Sequence, residues 1–147
     1  MKSWRAPTTR AIICLMSALP DRRQGKAIAR VLVDRELAAF AATKNRDRAA
    51  AWRSLERAHI LAQPFLMSHG GIHVRMLRFA IELGDWREAL GQVFRLLLVP
   101  IGNATGRLPV GNTGRANVSA FDPMPIPADL WDEMSGDHCA EALRDKS

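Results

Sequence analysis

Cysteine is scarce in this chain. Cys14 and Cys139, near opposite ends of the 147 residues, are the only two and form no metal-ligand pair. That usage fits a reducing cytoplasm, and the His138–Cys139 neighbours read as incidental in a charged tail. Long apolar runs are also lacking. The longest, around Ile12–Leu19 and Phe94–Ile101, are short or interrupted beside the roughly 20 apolar residues of a membrane-spanning helix, so no membrane span is expected. The glycines of Gly102–Gly106 and Gly111–Gly114 lack the Gly-Lys-Ser/Thr ending and preceding strand of a phosphate loop. No aromatics are interleaved with basic residues in the manner of a nucleic-acid surface.

Acidic residues are sparse at one end only. Residues 1–35 carry eight basic side chains against Asp21 and Asp34, which accounts for the whole net charge of +6. A basic arm can touch phosphate or anionic lipid, but no specific nucleic-acid partner is expected from the balanced remainder. Lys2, Arg5 and Arg10 before Ala11–Leu19 resemble the start of an export signal, yet Pro20-Asp21-Arg22-Arg23 follows at once and no cleavage site stands out. The other reading is a translation start downstream, for instance at Met16. Residues 1–23 are thus read as a basic leader outside the domain, 24–130 as a single helical domain and 131–147 as a loose acidic C-terminus. A chain of this length with 48% hydrophobic content can bury one core.

Periodicity predicts an all-α fold. Ala27–Lys44 offers Ile28, Val31, Leu32, Ala39 and Phe40 as a core face, and Asp47 caps a second helix over Arg48–Gln63 that Pro64 closes. A third starts at Ser68 or, because of Gly70-Gly71, only near Ile72. Gly84-Asp85 is a stop and a cap before Asp85–Val99, which carries Trp86, Leu90, Val93, Phe94 and Leu97 on one side and ends at Pro100. A faint repeat relates Phe40–Pro64 to Phe79–Pro100. The expected architecture is therefore a four-helix domain of two helical hairpins, tetratricopeptide-like, followed by an irregular tail in which Leu108, Val110, Val118, Phe121, Met124 and Ile126 hold the chain on the helices.

What stands out against this background is histidine. His59 shares a helical sector with Trp52, Leu55, Glu56 and Gln63, and His69 and His73 share one with Ile72, Met76 and Ala80. Polar groups ordinarily take the solvated side of a helix. Joined by the short connector Pro64–Ser68, the two helices should run antiparallel and bring His59 and His73 to the same height. An inward carboxylate and several imidazoles must satisfy one another, and a shared metal ion does so. The candidate ligands are His59, His69, His73 and Glu56, a set that suits Zn²⁺ or Fe²⁺, with Met67 and Met76 admitting Cu(I) as a further option. The di-iron bundles need two Glu/His pairs and additional glutamates, whereas one pair exists here. The bland reading is a hydrogen-bonded core network without metal, in a helical-hairpin module that meets a protein partner.

Glu56–Leu61 with Gln63, His69 and His73, Gly91-Gln92, Arg95-Leu96, Pro109–Gly114 and Met124–Pro127 together resemble the domain-of-unknown-function family 3703 over roughly Glu36–Leu130. The resemblance implies a small bacterial protein in which the histidines and the Gly-Asn-Thr-Gly turn are part of the shared motif, and it implies no particular activity. Gln63, Gln92 and Asn112 are then the expected surroundings of the ligands. Neither a nucleophile nor a cofactor motif indicates a substrate.

Overall fold

Asp47 sits in the extended region (φ −137°, ψ 96°) with its side chain accepting from the Ala50 N–H, and a helix begins at the next residue. The computed structural model describes residues 22–105 and 109–133 and has four helices among them: α1 Arg22–Thr43, α2 Arg48–Ala62, α3 Leu66–Glu82 and α4 Trp86–Thr105. A short helical turn follows at 128–133, and no strand occurs among the described residues. The leader up to residue 21, Leu108, and the C-terminal stretch from residue 134 with His138 and Cys139 lie outside the described residues.

Packing is most extensive within α1–α2 and within α3–α4, so the architecture is two helical hairpins joined at the α2–α3 contact. Trp52 meets Phe79 at 5.0 Å between ring centroids, while His59 meets His69 and His73, the register of an antiparallel pair. Leu55, Ile72, Met76 and Phe79 are fully buried at this contact, and Phe40 of α1 reaches Phe79 edge-on at 5.1 Å. The tail closes the core by adding Ile126 and Leu130 to it. Arg57 fastens the same segment electrostatically, donating to Glu36 at 3.0 Å and to Asp129 at 2.5 Å.

Three boundaries differ from expectation, the first being that α1 begins at Arg22, five residues before the expected Ala27 and inside the stretch read as the leader. α3 begins at Leu66, earlier than either predicted start, and passes through Gly70-Gly71 without a break. Packing compensates for the low propensity of the glycines, since Gly70 lies under Val99 of α4. Pro100 does not end α4, which runs on to Thr105, where the threonine hydroxyl donates back to the Ile101 carbonyl at 2.9 Å. Proline forfeits one helical hydrogen bond, and the helix continues for a further turn beyond it.

The larger departure is the orientation of α4. Trp86, Leu90 and Leu97 are 67%, 72% and 69% exposed, and Val93, Phe94 and Ile101 are exposed with them. Turned inward instead are Glu88, Ala89, Gln92, Arg95 and Val99. Apart from Ala89 and Val99, this helix buries its polar face.

Candidate metal centre

α2 contributes His59 from its last turn, and α3 contributes His69 and His73, one turn apart on one face. Their Nε2 atoms form a triangle. His59 lies 2.9 Å from His69 and 3.1 Å from His73, and the third side measures 3.2 Å. All three side chains are buried.

Partners on the far side of two rings determine where the protons sit. His59 Nδ1 is 2.9 Å from the Asn112 carbonyl oxygen, which can only accept, so Nδ1 carries the hydrogen. Gln92 Nε2 donates to Glu88 Oε1 and to the Gly114 carbonyl, both at 2.8 Å. That orients the amide and leaves Gln92 Oε1 to accept from His73 Nδ1 at 2.7 Å. The Nε2 atoms of His59 and His73 are consequently bare lone pairs, 3.1 Å apart. His69 Nδ1 is buried without a partner, so a single hydrogen on His69 can satisfy at most one of the two.

Burial pushes every imidazole below its ordinary value of 6.5. His69 is brought to about 3, with the charges of His73 and Arg95 adding to desolvation. His73 is brought to about 4, desolvation outweighing the Gln92 hydrogen bond. His59 is held well below 6.5, by desolvation first and then by its two neighbours. Neutral imidazoles with lone pairs facing one point are the form that binds metal.

The loop 109–121 forms the roof, and α4 holds it down. Asn112 accepts from the Gly114 N–H through Oδ1 and donates through Nδ2 to the Ser119 and Asp122 carbonyls at 2.7 and 2.8 Å. Gln63 clasps the start of the loop, donating to the Pro109 carbonyl at 2.9 Å and accepting from the Gly111 N–H at 3.2 Å. Glu88 accepts from the Ala116 N–H, and Arg95 Nη2 donates to the Arg115 and Val118 carbonyls at 2.7 and 2.5 Å. Gly114 has φ +79°, and a Cβ there would stand 2.9 Å from the His59 ring, so only glycine lets the backbone lie against the imidazole. These contacts order the segment and fix the His59 tautomer together.

Geometry sorts the expected residues. The three histidines come together, with Gln92 and Asn112 behind them as hydrogen-bond partners, while Gln63 braces the loop. Glu56 does not join the group, because its carboxylate accepts from Arg115 Nη1 at 3.2 Å. Arg115 also pairs with Glu88 at 3.1 Å and lies over the Trp52 ring at 3.8 Å, so a cation draws Glu56 aside. Desolvation nevertheless raises Glu56, against the pull of Arg115. Met67 is exposed and Met76 is in the core; neither lines the cavity of the histidines, which removes the case for Cu(I) built on thioethers. Sequence reasoning missed Glu88 and gave Arg95 no role at the site beyond its place in the family resemblance. The available signal was the 88, 92, 95 spacing, one face of a helix, set aside in favour of the apolar side.

The nitrogen separations suit one ion, since metal–nitrogen bonds of about 2.0–2.1 Å at tetrahedral angles hold ligand atoms about 3.3 Å apart. The same three side chains line a cavity of about 290 Å³ with Gln63, Arg95 and the apolar Leu98, Val99, Ile101 and Phe121. Among known proteins, residues 26–134 match the family model described as "Protein of unknown function (DUF3703)". No curated protein and no solved structure matches the chain.

Proposed function

Because the chain belongs to the DUF3703 family, whose description carries no activity, we propose from the site itself that this protein binds one transition-metal ion through His59, His69 and His73. The observation that carries this reading is the pair of lone pairs facing each other at 3.1 Å on His59 and His73, enforced by Asn112 and Gln92. Two acceptors at that separation repel each other, and a cation between them turns the repulsion into ligation. Imidazole ligands favour Zn²⁺ or Fe²⁺, and three of them leave a coordination position for a ligand from the cavity. The Glu88–Gln92–His73 chain is the carboxylate-backed support that metal-bound histidines commonly have.

The test is cobalt substitution in chelator-stripped protein that carries no polyhistidine tag. One equivalent of Co²⁺ should bind and give the intense visible absorption of a four-coordinate nitrogen site. His59→Ala and His73→Ala should each abolish it with the helical circular dichroism retained. Absence of stoichiometric uptake by folded wild-type protein sinks the reading. It would favour the rival, a helical interaction module with a metal-free histidine network, for which the exposed apolar face of α4 speaks.

A further inference from the structure

Arg95 is 7% exposed, yet no carboxylate pairs with it among the described residues. Glu88, the acidic residue nearest in influence, is engaged with Arg115, Gln92 and the Ala116 N–H. Arg95 spends Nη2 on two loop carbonyls, and among the described residues no side chain or carbonyl accepts from its Nε or Nη1. A buried guanidinium without a counter-ion is costly. This one lines the cavity that the three histidines line, and Asp and Glu are absent from that lining. With a divalent ion on the histidines, two cationic centres would face one cavity that opens to solvent past Ile101 and Phe121.

We propose that the cavity takes a small organic carboxylate, held between Arg95 and the ion at the three histidines, with its apolar part against Leu98, Ile101 and Phe121. This inference rests on the metal reading. Guanidinium and carboxylate match in charge and in planar fork geometry, and the N–H groups on Nε and Nη1 of Arg95 supply the donors. The apolar walls distinguish an organic acid from a bare inorganic oxyanion, which would gain nothing from them. A volume of about 290 Å³ lies at the small end of small-molecule sites, which run from about 300 Å³ upward.

Co²⁺-loaded protein should be titrated with acetate, benzoate and inorganic phosphate while its visible spectrum is followed. Benzoate should bind at least tenfold more tightly than acetate and more tightly than phosphate, and shift the cobalt bands. Arg95→Met should weaken benzoate at least tenfold while the cobalt stoichiometry stays at one. Unchanged benzoate affinity in a cobalt-loaded Arg95→Met protein, no spectral response to benzoate in the wild type, or tighter binding of phosphate would each overturn the assignment. If Arg95→Met fails to load cobalt because the loop loosens, Leu98→Trp decides the matter by filling the cavity with Arg95 intact: weakened benzoate binding supports the proposal and unchanged binding refutes it. Failure of the wild type to take up cobalt at all overturns the metal reading instead, which separates the two.

Discussion

The α2–α3 contact and the inner face of α4 are both buried, and they are built from opposite materials. Between α2 and α3 the chain buries Leu55, Ile72, Met76 and Phe79, and its polarity gathers at one end, at the three histidines and Gln63. Across from them α4 buries Glu88, Gln92 and Arg95 and leaves Trp86, Leu90 and Leu97 outside. The difference lies in what each surface meets. A helix that packs on a helix meets side chains, because the facing backbone is already hydrogen-bonded within itself. α4 also packs on an irregular loop, whose free N–H and carbonyl groups need partners once covered. Glu88, Gln92 and Arg95 supply them at Ala116, Gly114, Arg115 and Val118.

Acid should separate the two interiors most strongly. The three imidazoles have pKa values below 6.5 when folded, so below pH 6.5 the unfolded chain takes up more protons than the folded one. The associated stability is therefore fully present above 6.5 and declines as pH falls toward about 4 for His73 and about 3 for His69. Each such proton costs about 1.4 kcal/mol per pH unit within its window. Urea unfolding of metal-free protein at pH 7 and pH 5 should show a loss of several kcal/mol. Equal midpoints at the two pH values would contradict the neutral, buried histidines.

Gly114→Ala probes where the loop meets α2. Left-handed backbone strain of about 1–2 kcal/mol adds to about 1–3 kcal/mol for forcing a methyl against the His59 ring. We expect a total near 2–5 kcal/mol by denaturant titration, with metal uptake impaired; wild-type stability would mean that the loop does not lie on the ring. Gln92→Leu is the converse of a core substitution, since it places an apolar group in the polar interior. The Gly114 carbonyl and His73 Nδ1 would lose partners, at about 1–3 kcal/mol for a group left unsatisfied, and metal affinity should fall about 10–100-fold. A gain in stability from this change would show the inner face of α4 to be ordinary core. The smallest effect is expected from Leu97→Gln on the outer face, within about 0.5 kcal/mol of wild type in dilute protein. A cost like that of Gln92→Leu would reveal that the apolar stripe is covered in solution.

Helix positions, the Asp47 cap and the meeting of His59, His69 and His73 could be read from residue order, since all depend on periods of three to four residues and a short connector. Glu56 was legible only by phase. Helical phase put it on the histidine sector, but Arg115, 59 residues further along, decides its partner, and no local pattern encodes that encounter. The same holds for α4. Its two faces were visible in the sequence, one apolar and one spaced 88, 92, 95, but amphipathicity alone assigns the apolar one inward.

By itself, then, the sequence determined the elements and the convergence of the imidazoles, because these follow from backbone geometry within about forty residues. Only the tertiary structure decided which face of α4 turns in, which nitrogens of the histidines are bare, and that Arg95 faces the histidines across a cavity. Each of these depends on the loop 109–121 descending on the helices, and the partners its backbone demands lie at separations that no local periodicity reaches.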